Sequence, residues 1–134
     1  MIIDASVASH WFADTEFSHA ANKFRGFSNL IAPTFLLVET ANVLYKRARA
    51  GEIRSEGCAE SIALLKAAMT ELVPDFEVLP QAIELALRRQ HPVYDCLYLS
   101  LAVARGDKLV TADRRLASAA QALSIETELI KPLP

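Results

Sequence analysis

Short apolar runs alternate with helix-compatible segments along the whole sequence, and that alternation leaves few folds open. Ile2-Ile3, Asn29 to Ala32, the FEVL run (Phe76 to Leu79) within Val73 to Leu79, Lys108 to Thr111 and Ser124 to Leu129 read as strands. Between them, helices are predicted over Ala5 to Phe12, from a Thr15 cap to Phe24, and from Pro33 to about Ala50, where Gly51 ends the run. Ser55 is read as the cap of a further helix, whose apolar stripe runs through Cys58, Ile62, Leu65 and Met69. Three more follow, from Pro80 to about Gln90, from Tyr94 to Arg105 ahead of Gly106, and from Asp113 to Ala122. Apart from the last, with Glu126 and Glu128 alternating outward, these short strands are largely apolar on both faces. They predict an α/β fold, a mainly parallel sheet of about five strands with helices on both faces.

A chain of 134 residues is long enough for one well-cored domain, and residues 1–134 are read as that single unit. No linker, low-complexity segment or internal repeat divides it. No apolar stretch approaches the roughly 20 residues of a membrane span, and Met1-Ile2-Ile3-Asp4 has no basic n-region, so a cytoplasmic, membrane-free location is expected. Cys58 and Cys96 both fall in apolar helical patterns and read as free buried thiols in a reducing compartment. A net charge of −2 weighs mildly against a general nucleic-acid binder.

The chain has 16 Asp and Glu residues, and most sit in early helical turns, beside glycine turns or on outward strand positions. Asp4, Glu39, Asp95 and Asp113 do not fit that description, because each lies beside an apolar run at the end of an element. Asp95 is the sharpest case: in PVYDCLYLSLA (Pro92 to Ala102) it is the only charged residue, and a lone buried carboxylate is costly unless it is paired or bound. Asp4 and Asp113 follow strands and so belong outside the carboxyl edge of the sheet, where open α/β folds place ligands. If the first and fourth strands are neighbours, all four acids meet in one cleft. Taken singly, Asp4 and Asp113 also read as helix caps, Asp95 as a helix N-terminal acid, and Glu39 as an exposed helical residue. Two carboxylates about 4 Å apart repel by roughly 4 kcal/mol at an effective dielectric near 20, so convergence calls for a cation. Oxygen donors without Cys or a converging His favour Mg²⁺, with Mn²⁺ as its substitute, over zinc. Ser6, Asn42 and Thr111 lie close by in the sequence as supporting polar groups.

Asp4-Ala5-Ser6 after an apolar start, Glu39-Thr40-Ala41-Asn42 after Ala32-Pro33, Val93-Tyr94-Asp95 leading into YLSLA, and LVTADRRL (Leu109 to Leu116) together resemble a PIN domain. More narrowly, the chain is similar to the toxin subunits of bacterial VapBC toxin–antitoxin pairs. The resemblance implies a three-layer α/β/α sandwich, metal-dependent endoribonuclease activity, a homodimer, and a cognate antitoxin that occupies the active site. It also implies that Asp4, Glu39, Asp95 and Asp113 are the catalytic, metal-binding acids. Cys96 stands where such proteins often carry a small residue, and it is read as packing.

Phosphodiester hydrolysis needs an activated water and neutralisation of phosphoryl charge, which carboxylate-held Mg²⁺ supplies. Bound cations would offset the negative net charge, and Arg114 and Arg115, beside Asp113, read either as a solvated helix face or as contacts for RNA phosphates. His10, His19 and His91 are read as surface, packing or loop residues, with His91 near enough to the Asp95 helix to touch substrate. A non-catalytic module of the same fold, acting through a protein partner, is the alternative. A phosphatase or receiver-like domain fits less well, since no second acid stands two positions after Asp4.

Overall fold

The computed structural model describes residues 1–134. Five strands form one all-parallel sheet: β1 (Ile2–Ile3), β2 (Ile31–Pro33), β3 (Glu71–Val73), β4 (Leu109–Thr111) and β5 (Thr127–Leu129), in the order β3-β2-β1-β4-β5. β1 is therefore the central strand. It pairs with β2 through Ile2 opposite Ile31, and with β4 through Ile2 opposite Leu109 and Ile3 opposite Val110. The adjacency of first and fourth strands, on which the meeting of the acids depends, is present. Successive strands run outward from β1 to β3, then the chain crosses back to β4, so the topological switch falls between β1 and β4. In open α/β sheets that is where ligands bind.

Seven helices connect the strands: α1 (Ala5–Ala8), α2 (Ser18–Asn22), α3 (Phe35–Arg49), α4 (Cys58–Ala68), α5 (Asp75–Arg89), α6 (Val93–Arg105) and α7 (Arg114–Ala122). Right-handed crossovers put α1 to α4 on one face of the sheet and α5 to α7 on the other, giving the three layers. Helix α6 is buried continuously from Cys96 to Ala102, as the apolar run around Asp95 requires. It packs along α5, and the two are joined by a tight turn in which Gln90 takes a left-handed backbone (φ 51°) ahead of His91-Pro92. The shared core also takes in Ile2, Ile3, Leu30, Leu36, Leu109 and Leu116.

Several expected boundaries move. FEVL is the opening of α5, not a strand, and the third strand lies earlier, at Glu71–Val73. Val78, Ala82, Leu85 and Ala86 supply the helical stripe that faces the core, and the start of α5 is tied to α3: the Phe35 N–H donates to Asp75 (2.8 Å), and the Asp75 N–H donates to the Thr34 hydroxyl (3.2 Å). Pro80 consequently sits inside α5, on its solvent side, with the Phe76 carbonyl that loses a partner also on that side. Pro33 closes β2, and α3 begins at Phe35. Gly57 (φ 89°), not Ser55, precedes α4, whose stripe is only half buried at Cys58 and Ile62. The segment after Asp4 is one α turn followed by a 3₁₀ turn over Ser9–Trp11, and the Thr15 hydroxyl accepts from the Phe17 N–H ahead of a helix of only five residues. No helix is long and apolar enough to cross a membrane.

Candidate active site

Asp4 ends β1 and is 6 % exposed. Its two carboxylate oxygens are held separately: the Ser6 hydroxyl donates to Oδ1 (2.7 Å) and the Thr111 hydroxyl, at the end of β4, donates to Oδ2 (3.0 Å). The two hydroxyls are themselves 3.0 Å apart, Ser6 accepts from the Ala112 N–H (2.8 Å), and Thr111 accepts from the Asp113 N–H (3.0 Å). This network ties the end of β1 to the β4–α7 turn. Asp113 caps α7, accepting from the N–H groups of Arg115 (2.8 Å) and Leu116 (3.3 Å). The cap reading and the cleft reading of Asp113 hold together, because capping leaves its second oxygen free.

Glu39 lies one turn into α3, half-buried, and the phenol of the buried Tyr98 on α6 donates to its Oε1 (2.8 Å). That bond reaches across from α6 to α3 above the β2 end of the sheet. Asp95 is in the first turn of α6, where the left-handed turn at Gln90 folds His91 back so that its Nε2 lies 2.9 Å from Asp95 Oδ2. A histidine therefore does reach one of the acids, contrary to the sequence expectation. The turn geometry that brings it there depends on a non-glycine residue at positive φ, which leaves no local sequence signal.

The four carboxylates feel one another. Burial pushes the Asp4 carboxyl up to about 7, opposed by the Ser6 and Thr111 hydrogen bonds and reinforced by the charges of Glu39 and Asp113. Burial likewise raises Glu39, with the Tyr98 bond opposing it and Asp95 and Asp113 adding to it. Asp95 is raised by burial, against the hydrogen bond and charge of His91. No three Asp, Glu, His or Cys groups close on one point as a finished metal site. The arrangement is a set of hard oxygen donors whose charges oppose one another, with burial raising Asp4, Glu39 and Asp95. By its chemistry, an oxygen-only donor set of this kind suits a hard divalent cation.

Asn42 lies one turn past Glu39, but its side chain is exposed and stands outside this network. Arg114 and Arg115 are exposed and line, with His91 and Ser118, an open groove of about 460 Å³ beside Asp113. Neither arginine is in an ion pair, although Arg115 is close enough for its charge to hold Asp95 down. Tyr98 went unnoticed in the sequence because it falls in an apolar helical run. Cys96 is buried, its thiol pushed up by burial, and is packing.

A family model described as "PIN domain" matches residues 1–122. The chain is 33% identical over 126 residues to Ribonuclease VapC3 of Pyrobaculum aerophilum, covering 92% of this chain and 96% of that one. The chain thus belongs to the PIN domain family, among its VapC-type members. Among solved structures it is similar to Mycobacterium tuberculosis VapC20, a toxin that cleaves the sarcin–ricin loop, with a TM-score of 0.71, 14% identity, and 88% and 93% of the two chains covered. It is also similar to VapBC-1 of nontypeable Haemophilus influenzae, with a TM-score of 0.60, 11% identity and 96% of each chain covered. Both likenesses are of fold.

The raised Asp4 carboxyl sets a pH dependence. Its folded-state value near 7 lies above the ordinary 3.8, so the stability tied to its protonation is present below about pH 4 and lost as pH rises to about 7. Chemical denaturation in EDTA is expected to show wild type losing up to about 4 kcal/mol relative to Asp4→Asn across that window. Parallel pH profiles for the two proteins would contradict the burial of this charge.

Proposed function

We propose that the protein is a Mg²⁺-dependent endoribonuclease and the toxin of a type II toxin–antitoxin pair. The observation that carries this reading is Asp4, buried at the end of the central strand beside the topological switch of the sheet, with its carboxyl raised by burial and further by the charges of Glu39 and Asp113. Kinship with Ribonuclease VapC3 supplies the reaction class.

When bound, Mg²⁺, or Mn²⁺ in its place, supplies charge neutralisation at the scissile phosphate and a water of lowered pKa. Asp4, Glu39, Asp95 and Asp113 are the residues that would hold it. Ser6 and Thr111 fix both Asp4 oxygens, so this carboxylate enters the reaction already oriented. Tyr98 does the same for Glu39, and His91 for Asp95. Asp113 is steadied by the first N–H groups of α7. Arg114 and Arg115, free of protein partners at the groove, take the phosphates of the RNA strand that flank the reacting one. Asn42, exposed near Glu39, is left to the substrate.

The same reading includes two protein partners. A cognate antitoxin is supported by the fold likeness to VapBC-1 and by an acidic cleft that suits a basic arm. A homodimer is supported by α5, whose solvent face carries Phe76, Leu79, Ile83 and Leu87 at helical spacing. Glu77 near one end and Arg88 and Arg89 at the other make an antiparallel pairing of two α5 helices self-complementary in charge.

Cleavage of a fluorogenic single-stranded RNA is expected in Mg²⁺, to vanish in EDTA, and to fall at least ~100-fold in Asp4→Asn and Asp95→Asn, with Thr111→Val losing about 10–100-fold. Cleavage that survives EDTA, or full activity in Asp4→Asn, would overturn the metal-dependent mechanism. No cleavage by Mg²⁺-loaded protein under any condition would favour the non-catalytic module. Sedimentation velocity is expected to show a dimer that Leu87→Glu converts to monomer, and a wild-type monomer at all concentrations would remove α5 as the pairing surface.

A further inference from the structure

One aromatic surface beside the acids has no partner. Tyr94 immediately precedes Asp95 at the start of α6 and is 64 % exposed. Its ring is nonetheless immobilised from behind: Phe35, at the start of α3, stacks on it with centroids 5.2 Å apart and planes 14° from parallel. Phe35 in turn meets the edge of Tyr98 (6.5 Å, 60°), the residue whose phenol holds Glu39. A continuous aromatic wall therefore runs from solvent to a carboxylate of the cluster, and its outer face is bare. Beyond Asp95, the His91, Arg114 and Arg115 groove offers cationic and polar groups. Tyr94 thus presents a flat π surface at the start of α6, the helix whose Asp95 is bonded to His91 of that phosphate-attracting groove.

We propose that Tyr94, backed by Phe35, is a stacking platform for an unpaired nucleobase next to the cleaved phosphate. This rests on the nuclease reading above and names a residue that positions its substrate. Single-stranded RNA is read largely by stacking bases on exposed aromatic rings while basic groups follow the backbone. A ring already stacked on a second ring loses little freedom when a base adds to it. Stacking selects for an unpaired nucleotide without demanding a particular base, because every base has a π face. Paired RNA keeps its bases inside the helix and cannot use the platform.

The test is steady-state cleavage of an unstructured fluorogenic RNA in Mg²⁺ by wild type, Tyr94→Ala and Tyr94→Phe, repeated with RNAs in which one abasic nucleotide is moved along the strand. Tyr94→Ala is expected to raise KM about tenfold, with kcat much less affected, while Tyr94→Phe stays near wild type. One abasic position is expected to raise the wild-type KM by a similar factor and to have no further effect in Tyr94→Ala. An unchanged KM in Tyr94→Ala, an equal loss in Tyr94→Phe, or additive effects of abasic site and mutation would each overturn the platform while leaving the nuclease reading intact. An effect of Tyr94→Ala confined to self-association or to antitoxin binding would assign the ring to a protein contact instead. A wild type that cleaves no RNA would bring down the nuclease reading and the platform together, and the silent wild-type control identifies that outcome.

Discussion

The hydrogen bonds that Ser6 and Thr111 donate to the two oxygens of Asp4 join the sheet's central crossing to the chemistry outside it. β1 and β4 are neighbours in the sheet yet far apart in sequence, and the carboxylate at the end of one is clamped by a hydroxyl at the end of the other. Removing Asp4 from water is costly. The two donors offset part of that cost, and the rest appears as a carboxyl that holds its proton to about pH 7. The charges of Glu39 and Asp113 reach this group, and Asp95 reaches Glu39 and Asp113, each acid on its own element and each held by its own partner. The fold thus concentrates negative charge where a parallel sheet opens to ligands.

Much of this was legible in the residues. The alternation of short apolar strands with helices implied a parallel sheet covered on both faces, and the four acids stood out because each interrupted or ended an apolar run. The boundaries were less legible, for physical reasons. FEVL has the β-branched and aromatic content of a strand, but a tie between Asp75 and the start of α3, formed across about 40 residues of sequence, makes it the first turn of a helix. Pro80 looked like a helix start, yet on the solvent side of α5 the missing N–H leaves a carbonyl that water can satisfy. The contact of His91 with Asp95 depends on a left-handed backbone at Gln90, which only the fold imposes.

The aromatic wall was hidden for a different reason. Tyr94 and Tyr98 both belong to the PVYDCLYLSLA run, and the run itself does not distinguish an exposed ring from a buried one. Only one of them is buried: Tyr98 turns inward to Glu39, while Tyr94, just over one turn earlier, stops at the surface against Phe35. A carboxylate that looked misplaced in an apolar helix is held by a histidine and directly follows an exposed aromatic residue. The apolar residues that follow it fix its position, and the residues around it have the chemistry to meet a nucleic acid.

The most direct measurement is the thermal unfolding of metal-free protein at pH 8 during titration with Mn²⁺, for wild type and Asp4→Asn. If the four carboxylates are held apart by repulsion that a divalent cation relieves, Mn²⁺ raises the wild-type Tm by several degrees, as expected for a ligand at concentrations well above its Kd. Asp4→Asn, with the buried charge removed, starts from a higher Tm and responds weakly. Equal Tm values for the two proteins, with no response to Mn²⁺ in either, would contradict the account.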